Sequence, residues 1–165
     1  MRNNKESLEK AKNYCFLLLK FRLRSEKEIY ERLKKKKFEE EIIRQTVAFL
    51  KDKGFIDDEL FAKAWIESRL KKPLGLRRIR QELNLKGIDA GIIESRISEI
   101  KKNYPERDLV ERIAHERFKR LKCIEPGLAR ERVYAYLLRR GFSPEVIIDV
   151  LSDKLCKPKS YGQNS

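Results

Sequence analysis

Asp57 and Asp58 stand side by side, and paired carboxylates are the groups that general acid–base chemistry uses. That chemistry needs further partners, and the sequence supplies few. His115 is the single histidine, and no glycine-rich phosphate loop is present. Cys15, Cys123 and Cys156 are three widely spaced thiols, and no cysteine–histidine cluster has the spacing of a zinc site. In a reducing cytosol, two of them are expected as small buried hydrophobes and one in a tail. The two aspartates fit a helix N-terminus better, where a carboxylate accepts orphan amides and meets the positive end of the dipole. No catalytic, metal or cofactor site is expected.

The abundant chemistry is cationic. Forty Lys and Arg face 26 Asp and Glu, a formal net charge of +14. Such an excess repels like copies, so a monomer is expected, and it attracts polyanions: nucleic acid, anionic lipid or acidic protein. No apolar run approaches the roughly 20 residues that span a bilayer, so no membrane partner is expected. The N-terminal stretch lacks the hydrophobic block of a signal peptide, which points to the cytoplasm. The candidate binding residues are Arg22, Arg24, Lys34, Lys35, Lys71, Lys72, Arg77, Arg78, Arg80, Lys86, Arg139 and Arg140. Lys34 to Lys37 is either a solvated run or a phosphate contact. Trp65 could offer a stacking platform to a base, although its helical spacing from Phe61 favours the core.

Helices must carry these charges, because the apolar residues recur at helical spacing almost throughout. Leu8, Ala11, Cys15, Leu18 and Leu19 form the first stripe. Ser25 and Glu28 have the spacing of a capping box ahead of Ile29 and Leu33. Glu39 to Asp52 carries Ile43, Val47 and Leu50, and Gly54 closes it. Asp57 then heads Phe61, Ala62, Trp65 and Ile66; Leu76, Ile79 and Leu83 end at Gly87; Asp89 heads Ile92, Ile93, Ile97 and Ile100. A third cycle follows Tyr104-Pro105, with Leu109, Ile113, Phe118 and Leu121, then Val133, Leu137 and Gly141, then Val146, Ile147, Val150 and Leu151.

The cycles are in register. Ile29, Ile79 and Val133 correspond, as do Leu33, Leu83 and Leu137, and Phe38, Ile88 and Phe142, the last set 50 and then 54 residues apart. A period of that size marks stacked helical modules. Each is too small to bury a sufficient core alone, so neighbours should share interfaces. The expected fold is all-α: three tandem three-helix repeats over residues 1–54, 55–103 and 104–155, in an elongated, curved array with a disordered tail at 156–165.

Charge follows the repeat. Lys20 to Lys37 holds nine basic and three acidic residues, Arg69 to Lys86 seven and one, and Arg117 to Arg140 eight and two, each net +6. The third helices are acidic, as in Phe38 to Leu60 with three basic and seven acidic residues. Threefold recurrence suggests a positive track along the middle helices. In Gly75 to Asp89, Ile79 and Leu83 face inward, while Arg77, Arg78 and Arg80 are expected to fan outward as donor forks suited to phosphate or carboxylate.

That segment, GLRRIRQELNLKGID, resembles the central signature of the RecX family, bacterial regulators of the RecA recombinase. Gly54 to Ala62, GFIDDELFA, is similar to the family's second signature. Arg24 to Ile29 with Leu33 and Phe38 looks like its first-module motif, and Arg139-Arg140-Gly141-Phe142 like its third-module ending. Lys37 stands where a glycine is usual and Leu60 where a basic residue often precedes Phe-Ala, which affects one turn and one surface contact. The resemblance covers about residues 8 to 155. It implies three three-helix repeats bound in the groove of the RecA–single-stranded DNA filament, inhibiting ATP hydrolysis, strand exchange and co-protease activity. Composition alone allows two other classes, a general basic DNA- or RNA-binding protein and a helical scaffold for a protein partner. Gln81 and Asn84 beside the arginines leave base reading open.

Overall fold

The computed structural model describes residues 2–156, with side chains described over 4–152. The tail expected over 156–165 lies outside the described residues, except that Cys156 closes the last helix. Nine helices and no strand are found among the described residues. They are α1 (Arg2–Phe21), α2 (Glu26–Lys35), α3 (Glu40–Asp52), α4 (Asp58–Leu70), α5 (Leu76–Leu85), α6 (Ala90–Lys101), α7 (Glu106–Arg120), α8 (Pro126–Arg139) and α9 (Pro144–Cys156).

One turn recurs between the second and third helix of every repeat. Phe38, Ile88 and Phe142 donate their N–H to the carbonyls of Leu33, Leu83 and Leu137 at 3.3, 3.2 and 3.4 Å. One residue earlier, Lys37, Gly87 and Gly141 donate to Lys34, Asn84 and Leu138 at 2.9, 3.0 and 2.9 Å. This is the Schellman motif, which needs a left-handed residue between the two donors and packs an apolar residue back onto the helix. Gly87 and Gly141 supply the left-handed backbone at φ 77° and 83°. Lys37 holds it at φ 62° without a glycine's freedom. The departure from the family pattern therefore leaves the turn intact, at the cost of local strain.

By packing, the chain divides into two compact units: residues up to Ser68 together with Arg80–Glu99, and Arg69–Ile79 together with residues from Ile100 onward. In the first unit, α3 packs on α1 and α2 around Ala11, Cys15, Ile29, Leu33, Ile42, Ile43, Val47 and Leu50. A ten-residue helix such as α2 is marginal alone, so this burial holds it in place. The middle repeat is tied by polar pairs: Trp65 Nε1 of α4 donates to Glu82 of α5 at 3.1 Å, Arg80 of α5 grips Glu94 of α6, and Arg96 of α6 reaches Glu59 of α4 at 3.4 Å.

In the second unit, α7, α8 and α9 close around Val110, Ala114, Val133, Leu137, Phe142, Ile147, Val150 and Leu151. The innermost line of α7 is thus Val110 and Ala114, where the sequence suggested Leu109, Ile113, Phe118 and Leu121; those four flank it, partly buried. Small residues sit at the closest approach and large ones fill its sides, as ridge-into-groove packing favours. Cys15 is buried as expected, but Cys123 is exposed. It sits on the turn between α7 and α8.

Candidate nucleic-acid interface

Consecutive repeats meet at one kind of junction, where the loop before one repeat's second helix lands on the turn after the next repeat's second helix. At the first junction, inside the first unit, Ser25 Oγ donates to the Lys86 carbonyl at 2.7 Å and Lys27 Nζ to the Leu85 carbonyl at 3.3 Å. Both carbonyls are orphans of the α5 C-terminus, so α2 begins by satisfying the end of α5. Ser25 also accepts the Glu28 N–H at 3.2 Å, the first half of the expected capping box. The second half gives way to a stronger use: the Glu28 carboxylate takes both arms of Arg22, at 2.8 and 2.9 Å, and the ammonium of Lys86. Burial alone would raise the Glu28 pKa, but hydrogen bonds from Arg22 and Lys86, and then their charges, bring it down to about 2.

The second junction, inside the second unit, repeats this geometry with main-chain donors. Gly75 N–H meets the Arg140 carbonyl at 2.9 Å and Arg77 N–H the Gly141 carbonyl at 3.2 Å, while Arg140 donates to the Pro73 carbonyl at 3.1 Å. A Cβ on Gly75 would stand 2.1 Å from the Gly141 oxygen, and one on Gly141 2.3 Å from the Arg78 nitrogen. Only paired glycines allow this approach.

The two junctions differ in charge. Fifty residues on from Glu28 stands Arg78, and 54 on from Lys86 stands Arg140, so the acid that neutralises the first junction is a base in the second. The candidate residues sort accordingly. Lys71, Lys72, Arg77, Arg78, Arg139 and Arg140 come together around the second junction, all but the half-buried Arg140 exposed. Arg22 and Lys86 are committed to Glu28. Arg80 corrects the outward fan: it is half-buried, and its fork is filled by Glu94 at 2.6 and 2.9 Å. That hydrogen bond raises its pKa further. Arg24 is half-buried and its Nε has no hydrogen-bond partner among the described residues. Burial, then the neighbouring Arg22 charge, lowers its pKa. Lys34 and Lys35 are exposed, but lie at the far end of α2 from Arg22 and Arg24, about 15 Å away along the helix.

The other candidates resolve plainly. Asp57 caps α4 by accepting Leu60 N–H at 2.9 Å, and Asp58 accepts Glu26 N–H at 2.9 Å. Burial holds the Asp58 carboxyl above its usual range. Both carboxylates thus serve helix starts. Trp65 is half-buried; Phe61 stacks on it at 5.7 Å and the Lys86 ammonium stands 4.9 Å over its ring. His115 is exposed. Missed from the sequence are Arg112, Arg117 and Arg120 of α7, with Arg117 lying 3.5 Å over the ring of Tyr136. Their charge is visible in the sequence, but their convergence on α8 is not. No helix is long and apolar enough to cross a membrane, among the described residues.

Comparison with known proteins matches each repeat separately. Residues 11–50 fit the model described as RecX, first three-helix domain; 57–95 fit the second three-helix domain, and 106–151 the third. The chain belongs to the RecX family. Relatives named Regulatory protein RecX include that of Mycobacterium sp. (strain KMS), 35% identical over 152 residues, covering 89% of this chain and 82% of the relative. That of Geobacillus thermodenitrificans (strain NG80-2) is 35% identical over 150 residues, covering 90% of this chain and 55% of the relative. Two solved RecX structures share the fold. The crystal structure of regulatory protein RecX superposes with TM-score 0.79 at 24% identity, over 92% of this chain and 74% of that one. The crystal structure of RecX from Lactobacillus salivarius gives 0.74 at 22%, over 90% and 97%. The all-α tandem-repeat fold is therefore the RecX fold, and the family is one of regulatory proteins.

Proposed function

We propose that this chain is a non-catalytic regulator that binds the RecA–single-stranded DNA filament and inhibits its recombinase, ATP-hydrolysis and co-protease activities. The observation that carries the reading is the match of all three repeats to RecX domains, together with relatives named Regulatory protein RecX. The charge at the second junction supports it. Lys71, Lys72, Arg77, Arg78, Arg139 and Arg140 form a cationic surface suited to DNA phosphate or the acidic face of a filament, whereas the first junction neutralises itself through Glu28. Lys34 and Lys35 add a separate point of contact, and contacts made from one chain raise avidity because each later one is intramolecular.

In this reading the protein is a cytoplasmic monomer that binds naked single- or double-stranded DNA weakly and without sequence preference. For single strands, log affinity should fall with log salt at about −0.7 per phosphate contacted. The direct test adds the chain to preformed RecA filaments on single-stranded DNA and follows ATP hydrolysis. Hydrolysis should fall as the chain is titrated in. Unchanged hydrolysis at concentrations that saturate naked DNA would overturn the reading and leave a general nucleic-acid-binding protein.

A further inference from the structure

In the second unit, a cavity of about 230 Å³ opens between α7 and α8, lined by Arg112, Glu116, Arg117, Arg120, Tyr136 and the loop residue Pro73. The spacing of its α7 residues is that of one helix face: 112, 116 and 120 follow one another at i, i+4, with 117 beside them. Three arginines thereby line one space, with Glu116 between Arg112 and Arg120 on the same face. Tyr136 of α8 makes the opposite wall. The Arg117 guanidinium stands 3.5 Å over its ring centre, and Arg140 stands 5.1 Å from the same ring while donating to the Pro73 carbonyl. Burial would raise the Tyr136 pKa, but hydrogen bonding from Arg117 and the charges of Arg140 and Arg117 lower it. The wall is thus electropositive up to the phenol oxygen. The acid of the lining, Glu116, is 3.4 Å from the ammonium of Lys119, and against the three arginines it leaves the lining with an excess of two positive charges.

Size and donor geometry select the ligand. Small-molecule sites run from about 300 Å³ upward, so this cavity suits one anionic group with its water better than a whole nucleotide. A carboxylate has two oxygens and is satisfied by a single guanidinium fork, whereas a phosphate offers more acceptors to converging forks. The stacked Arg117 has already lost much of the side-chain freedom that binding would otherwise remove.

We propose that the Arg112–Arg117–Arg120 pocket against Tyr136 is a phosphate site for the backbone of single-stranded nucleic acid, adjoining the second junction through Arg140 but built from arginines of α7 that the junction does not use. It rests on the DNA contact in the function proposed above and adds to that contact a defined receptor in the third repeat.

The test uses the full chain and a fluorescein-labelled oligothymidylate, with anisotropy titrations over a range of potassium chloride. Arg112→Ala/Arg120→Ala removes two forks from exposed positions, and Lys5→Ala/Lys63→Ala removes the same charge from exposed sites on α1 and α4. The arginine variant should bind several-fold more weakly than the lysine variant, with a log–log salt slope shallower by about 0.7, one phosphate contact. Arg112→Lys/Arg120→Lys should restore the slope, because the charge returns, but only part of the affinity, because the forks do not. Matching melting midpoints establish that the folds are equal. Superimposable curves for the two alanine variants would overturn the site. So would a loss seen on RecA filaments but absent on the free oligonucleotide, since the pocket would then read a protein surface. A wild-type chain without salt dependence would overturn both the site and the DNA contact, while the ATP-hydrolysis assay on filaments would still decide the regulatory reading.

Discussion

Replacing Glu28 with glutamine keeps its size and removes the charge that holds Arg22 and Lys86. The Glu28 side chain is only 12% exposed and bonded to both cations, so solvent screens the group little. Its pKa falls from a usual 4.5 to about 2. At about 1.4 kcal/mol per pH unit, the charged form contributes on the order of 3 kcal/mol to stability. For an acid whose folded pKa is depressed, that contribution is fully present above the unfolded value. It is lost as pH falls through 4.5 towards 2. Urea denaturation of both proteins between pH 7 and pH 3 measures it. Near neutrality Glu28→Gln should be less stable by about 2–3 kcal/mol, the cost of two cations left without their anion. Near pH 3 roughly half of that difference should have gone, because the wild-type carboxylate is then protonating in its unfolded state. Two stability curves that run parallel across the whole range would refute the argument, since the loss would then be one of packing alone.

Three further outcomes follow from the turns and the core. Gly75→Ala should cost more than Gly54→Ala, because a Cβ at the first meets backbone 2.1 Å away and one at the second meets nothing within 4 Å. About 1–3 kcal/mol or more is expected for the overpacked site and about 1 kcal/mol for the left-handed strain at Gly54, read from denaturation midpoints. Lys37→Gly should stabilise the chain by up to about 1 kcal/mol, since it relieves a lysine at φ 62°; a lower melting midpoint would contradict the strain. Leu83→Ala should cost about 2–5 kcal/mol as a fully buried leucine, and an unchanged midpoint would show that the site collapses freely.

The repeat itself was legible because it rests on local spacing. Phe38, Ile88 and Phe142 stand out as an in-register set in the sequence, and the structure gives each the same closing role in a Schellman turn. Ile29, Leu33, Ile79, Leu83, Val133 and Leu137 are all buried, as their period requires. What was not legible depends on which helices touch. Period cannot say that Glu28 faces Lys86 across 58 residues, or that Arg80 faces Glu94, so both cations counted as candidate binding residues. The apolar stripe of α7 is wide enough to fit two neighbouring faces, and only the approach of α8 and α9 selects Val110 and Ala114. Arg112, Arg117 and Arg120 were hidden for the same reason: nothing in a one-dimensional pattern brings Tyr136 beneath them.

A joint made of main-chain atoms is indifferent to most of what mutation can do around it. At the second junction two positions must remain glycine for the backbones to meet, while of the lysines and arginines that surround the joint only Arg140 adds a side-chain bond, to the Pro73 carbonyl. The charge of that surface can drift from lineage to lineage without unseating one repeat from the next. The first junction is inherited differently. Ser25 and Lys27 close it with side-chain donors, and Arg22, Glu28 and Lys86 neutralise one another across it. Any one of those three changes safely only if another changes with it, so this junction should evolve as a linked set and the second one letter by letter.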